Sequence, residues 1–141
     1  MLEGEQQVLM KANELLEKTE KKFHIFASAD YLSELYYNDF SDKLKSQADK
    51  VDITLVTDDS LKSAYFIGQM QWLSGSRKIV DEQNLPCIMI ADNKEVMIAF
   101  HEKDSEGEDE VKKKYRTAAI WTNYSALVNT LQMLFSKLAQ D

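Results

Sequence analysis

The stretch LPCIMIADNKEVMIAF, residues 85–100, sets two short apolar runs on either side of Asp92-Asn93-Lys94. Asp and Asn tolerate left-handed backbone and open tight turns, so two β-prone runs this close together have one economical arrangement, an antiparallel hairpin. The pattern predicts strands at about 86–91 and 95–100. It also puts one carboxylate, Asp92, at the head of the turn, where an Asx arrangement has it accept the N–H of Lys94 or its neighbour.

Around the hairpin, helical and strand periods alternate. Residues 5–22 bring Val8, Leu9, Ala12, Leu15 and Leu16 onto one stripe with no Gly or Pro inside, which predicts an amphipathic helix. FHIFAS (23–28) reads as a buried strand, and Asp30 as the N-cap of a helix carrying Leu32, Leu35, Tyr36, Phe40 and Leu44. Tyr36, Tyr37 and Phe40 at that spacing read as core. VDITLVTDDS predicts a second strand and a turn into a helix over about 59–70. After a Gly-Ser break comes a short strand near 78–80, then the hairpin. HEKDSEGEDEVKKKYR reads as a mobile charged loop and TAAIW as the last strand. The closing segment carries Leu127, Leu131, Leu134 and Leu138 at helical spacing, with Asn123 or Ser125 placed to cap it. Strands separated by helices favour crossover connections, so the expected fold is α/β: a mixed, mostly parallel sheet flanked by helices.

Composition bounds the function. A chain of 141 residues with 44% hydrophobic content makes one domain, 1–141. Its apolar runs fall far short of the roughly 20 residues needed to cross a bilayer, and its first residues lack a secretory pattern, so a soluble, cytoplasmic protein with no membrane partner is expected. Cys87 is the one cysteine and lies in an apolar run, where it reads as a small buried hydrophobe. Seventeen basic against twenty-four acidic residues give a net charge of −7, which repels a phosphate backbone. KLKSQADK and VKKKYR each have acidic neighbours and read as solvated faces. There is no Gly-rich phosphate cradle, paired-cysteine or paired-histidine metal motif, or nucleophile elbow. His24 sits on an apolar strand and reads as a satisfied imidazole. His101 opens the charged loop, either as a solvent-exposed side chain or as a binding group. These signs point away from an enzyme, a cofactor and a metal.

The hairpin, the strand-ending FASAD and AAIWTNYSALVNTLQMLF resemble the effector-sensing domain of the archaeal TrmB-like transcriptional regulators, which is phospholipase D-like in fold. The resemblance runs over nearly the whole chain in element order, although its motifs, Trp121-Thr122-Asn123 and the hairpin, are short. It implies a phospholipase D-like half-domain. Phospholipase D enzymes carry His-x-Lys, four residues and Asp on such a hairpin. Here Leu85 falls at the His position, Cys87 at the Lys position and Asp92 at the Asp position. Leu and Cys supply neither the attacking nitrogen nor the positive charge, so the resemblance implies a catalytically inactive, degenerate motif. It also implies a homodimer that reaches DNA only through a winged-helix domain absent from this chain. Leu9, Ala12, Leu16 and Thr19 of the first helix form a heptad-like seam that either pairs subunits or packs on its own domain.

Ligands of open α/β sheets bind beyond the carboxyl ends of strands. The expected ligand-binding set is therefore Ser28, Asp30, Asp92, His101, Trp121, Thr122 and Asn123, suited to a sugar or another polar small-molecule effector. Four of them have a plainer reading: Trp121 as core, Asp30 and Asn123 as caps, Asp92 as a turn residue. The alternative function is a structural self-association or protein-interaction module with no small-molecule ligand.

Overall fold

The computed structural model describes residues 2–70, 77–78, 86–103 and 115–139. In order these form β1 (Leu2–Glu3), α1 (Glu5–Lys18), β2 (Lys22–Phe26), α2 (Ala29–Tyr36), α3 (Asp39–Gln47), β3 (Asp52–Thr57), α4 (Leu61–Gln69), β4 (Arg77–Lys78), β5 (Cys87–Ala91), β6 (Glu95–Lys103), β7 (Tyr115–Thr122) and α5 (Ser125–Ala139). The strands make one sheet in the order β1-β7-β6-β5-β2-β3-β4.

The α/β class and the mixed sheet are as expected, but antiparallel pairs predominate. Only β2·β3 and β3·β4 are parallel; β1·β7, β2·β5, β5·β6 and β6·β7 are antiparallel. The crossover argument holds where helices stand between strands. It fails for β5, which enters beside β2 with opposite direction and brings the β6 and β7 strands with it.

Helices cover both faces unequally. Side chains alternate across a strand, so Phe23, Ile25, Met89, Met97 and Ala119 share one face, packed under Val8, Ala12, Leu15 and Leu16 of α1 and under α2, α3 and α4. The other face carries Phe26, Val56, Ile88, Ile90 and Val96, packed, among the described residues, under Val128, Leu131 and Phe135 of α5. β5 is buried along its whole length, as a strand covered on both faces must be.

Three boundaries differ from the sequence reading. α1 stops at Lys18 because Thr19 turns extended and its hydroxyl donates back to the Leu15 carbonyl at 2.6 Å. The helix expected from Asp30 through Leu44 is broken at Tyr37-Asn38, where Ser41 Oγ donates to the carbonyls of Tyr36 and Asn38. The expected charged loop is shorter, because β6 runs on to Lys103 and β7 begins at Tyr115; residues 104–114 lie outside the described residues, as do 79–80 of the expected short strand. The two-residue β1 was not foreseen.

The seam on α1 is spent within its own domain: Ala12, Leu16 and Thr19 are buried and Leu9 packs on the same core. Leu16→Ala should therefore lower unfolding free energy by about 2–5 kcal/mol. Denaturant unfolding should give the same loss at dilute and at concentrated protein. A loss that grows with protein concentration would instead place Leu16 in a subunit interface.

Candidate functional site

The antiparallel register separates the expected site residues. β2 runs from Lys22 to Phe26, so Ser28 and Asp30 follow its carboxyl end, where β3 ends at Thr57-Asp58, β5 begins at Cys87 and His101 of β6 pairs with Thr117. Asp92 lies beyond the opposite end of β5. Because β7 runs against β2, Trp121, Thr122 and Asn123 also lie at that opposite end, beside Val96 and Met97. Five strand residues span about 17 Å, so the set forms two clusters rather than one pocket.

At the hairpin end, Asp92 and Asn93 have φ of 54° and 57°, and the Lys94 N–H donates to the Ala91 carbonyl at 2.9 Å. Positive φ at both central residues marks the turn that matches strand twist. The Asp92 carboxylate does not bond within this turn as the Asx reading expected. It accepts the backbone N–H groups of Glu20, Lys21 and Lys22, each at 2.8 Å, and the Asp92 N–H donates to the Lys22 carbonyl at 2.8 Å. Partial burial opposes its charge, but those three N–H groups and nearby Lys94 outweigh it and hold the carboxyl below its ordinary range. Its chemical role is that of a clamp on the α1–β2 turn.

Trp121 packs against the core beneath α1, with Lys11 Nζ 4.3 Å from its ring centroid and its indole Nε1 buried without a hydrogen-bond partner. Thr122 faces the other way, and its hydroxyl accepts the Tyr124 N–H at 3.2 Å. Asn123 is exposed. Neither it nor Ser125 holds the cap position, since the Tyr124 carbonyl takes the first helical bond, from Val128. On the α5 face, His24 is half-buried, 3.1 Å from Gln132 Oε1 through Nδ1 and stacked on Phe135 at 4.7 Å. Burial pushes the imidazole below its ordinary range.

At the carboxyl end of β2 and β3, Ser28 occupies the cap position of α2 but makes no side-chain capping bond. Asp30, read from the sequence as the cap, stands two positions later inside the first turn, exposed and paired with Lys62 Nζ at 2.9 Å. The capping bond comes from Asp58, whose carboxylate accepts the Ala29 N–H at 2.8 Å, the Ser60 N–H at 3.1 Å and the Ser63 hydroxyl at 2.7 Å. Thr57 Oγ1 lies 3.0 Å from Ser63 Oγ. Burial again opposes the charge, and the donors from Ser60, Ser63 and Ala29 hold the carboxyl below its usual range. His101 lies on β6 at this end; its side chain is outside the described residues.

A hollow of about 10 Å³, room for a single water, opens here among Glu5, Leu9, Tyr31, Glu34, Leu35 and Thr117. Burial pushes the Glu34 carboxyl up, and a hydrogen bond and repulsion from Glu5 push the same way. The Ser60 and Ser63 contacts extend the Thr57-Asp58-Asp59 turn that the sequence marked. Nothing local signalled the meeting of Glu5 and Glu34, 29 positions apart.

Of the three hairpin positions where a phospholipase D motif would stand, Leu85 lies outside the described residues, Cys87 is fully buried beneath the helices, and Asp92 is five positions on from Cys87, past the opposite end of β5. Burial pushes the Cys87 thiol far up, which leaves it a protonated hydrophobe. Among the described residues, no three His, Cys, Asp or Glu side chains gather as a metal site, and no helix is long and apolar enough to cross a membrane.

Asp92→Asn keeps a residue that tolerates the left-handed turn and removes the charge. It should lower stability by about 1–3 kcal/mol at pH 7. The folded-state pKa lies below the ordinary value near 3.8, so the carboxylate's stabilisation is present above that value and disappears as pH falls through the lowered one. Thermal unfolding at pH 7 and at about pH 3 should show the gap between variant and parent narrowing in acid. Cys87 should resist a thiol reagent in the native protein and react at once in denaturant; rapid native labelling would contradict its burial.

No protein-family model and no curated protein matches the sequence. Solved structures do match its fold. TrmBL2, an archaeal chromatin protein described as showing a novel mode of DNA binding, superposes with a TM-score of 0.60 at 15% identity over 96% of this chain, which spans 50% of that one. Nuc of Salmonella typhimurium, a phospholipase D family member, gives 0.60 at 14% identity, covering 94% of this chain and 86% of that chain. Phosphatidylserine synthase of Haemophilus influenzae Rd KW20 gives 0.57 at 9% identity over 96% of this chain and 35% of that one. This chain has the phospholipase D-like α/β fold.

Proposed function

We propose that this chain is a non-catalytic, effector-sensing and dimerising domain of a TrmB-like transcriptional regulator, acting on DNA only through a partner winged-helix domain. The observation that carries the reading is the hairpin: a phospholipase D-like fold in which the position of the phosphate-binding lysine holds buried Cys87 and the remaining carboxylate is engaged by three backbone N–H groups. The fold likeness to an archaeal chromatin protein supports a place in DNA-linked regulation. A net charge of −7 argues that this domain does not itself grip the phosphate backbone.

The effector is a neutral or cationic polar metabolite, recognised at the carboxyl end of β2 and β3. Ser28, Asp30, the backbone of His101 and the mouth of the Glu5–Glu34 hollow all lie at that end of the sheet, and the hollow's carboxyl groups disfavour anions. Trp121, Thr122 and Asn123 at the far end belong to packing and helix entry. A second reading, a structural module that pairs with itself and takes no small molecule, is favoured by the exposed apolar flank of α5 and by the small size of the hollow.

A thermal-shift screen against sugars, amino acids and polyamines tests the choice. A true effector at 100 times its Kd adds about 2.7 kcal/mol of stability, and Asp30→Ala should weaken that response. Uniform silence across the panel would favour the structural module. Turnover of bis(p-nitrophenyl) phosphate by the purified chain would contradict the non-catalytic half.

A further inference from the structure

Among the described residues, the second sheet face is only half covered. Val128 and Phe135 seat α5 on a cluster drawn from β2, β3, β5 and the Val96 end of β6, and Gln132 on one flank of the helix bonds His24 of β2. The opposite flank therefore turns toward β6 and β7, and it carries Tyr124, Leu127 and Leu134, exposed by 74%, 51% and 45%. Beside it, Phe100 of β6 and Ile120 of β7 point out of the same face and are 39% and 43% exposed. Helix and the partly exposed Phe100–Ile120 strip thus form a step, an apolar ridge standing next to an apolar floor.

We propose that this step is the surface on which a second copy of the chain docks, with the α5 ridge of each copy seated on the β6–β7 floor of the other about a twofold axis. Shape and charge both select a copy. A twofold contact sets a surface against itself, so a ridge beside a floor of like width closes on itself and completes the missing helical layer on both sheets. Such a contact also sets like charge against like charge, and the chain carries −7 with 29% charged residues. α5 holds one charged residue, Lys137, among its 15, and it stands one turn beyond Leu134 at the end of the flank, so the Leu127–Leu134 stretch itself carries no charge. A 15-residue helix is about 22 Å long, and its width plus two strands gives a footprint of roughly 400 Å² per copy, at the weak end for specific association. The dimer is accordingly a reversible one.

This deepens the dimerising half of the proposed function and rests on it, independently of any effector. Sedimentation equilibrium of the full chain up to about 200 µM, with Leu127→Glu/Leu134→Glu and Met133→Glu alongside, decides it. All three side chains are exposed, so circular dichroism should match the parent. The parent should dimerise, the double variant should raise the dimer Kd by at least about tenfold, and Met133→Glu, on the outward side of the helix, should not. A parent dimer untouched by the double variant overturns this face while leaving dimerisation standing. A parent that stays monomeric throughout overturns both, and assigns the step to a different partner.

Discussion

Both ends of β2 are fixed by a carboxylate borrowed from a neighbouring strand. At its start, Asp92 from the end of β5 takes the N–H groups of Glu20, Lys21 and Lys22; just past its end, Asp58 from β3 takes the N–H of Ala29. Each turn leaves backbone donors without a helical or sheet partner, and a charged acceptor satisfies them with stronger bonds than a neutral one would. With β2 pinned, β3 can pair beside it in parallel and β5 in antiparallel, and the rest of the sheet follows from those two neighbours. The clamp therefore stands upstream of the fold's shape and of where any site can form.

That shape divides the molecule functionally. Antiparallel entry of β5 sends the Trp121-Thr122-Asn123 segment to the hairpin end and leaves the Ser28–Asp30 turn, the Asp58 cluster and the Glu5–Glu34 hollow at the other. A chain with a parallel β7 would have gathered them. Among the described residues, four helices crowd one face of this sheet while α5 alone serves the second, leaving an apolar strip beside it.

What the sequence made legible was local. The hairpin register, the stripe of α1, the short buried strand β2 and the Leu spacing of α5 are set by residues within a few positions of one another, and periodicity reads them. Strand direction is not local: nothing in CIMIA says which neighbour it will join. Asp92 was readable as a turn residue but not as an acceptor for donors some 70 positions earlier, because no pattern links Asp92 to Glu20 through Lys22. The α2–α3 break was locally written in Tyr37-Asn38-Asp39, where Asn and Asp favour caps over helix interiors, but the apolar stripe running through Phe40 and Leu44 masked it. The turns after β2 and β3, at Ser28 and Asp58, could be read locally as strand ends, while the Glu5–Glu34 meeting needed the folded chain.

The central claim is that the hairpin carboxylate is committed to holding backbone rather than to chemistry. Following the Asp92 side-chain carboxyl carbon by NMR through an acid titration tests it most directly, with the amide signals of Glu20, Lys21 and Lys22 read in the same spectra. The account predicts a midpoint below 3.8, shared by all three amides. A midpoint at or above that value, with those amides unmoved, would contradict it.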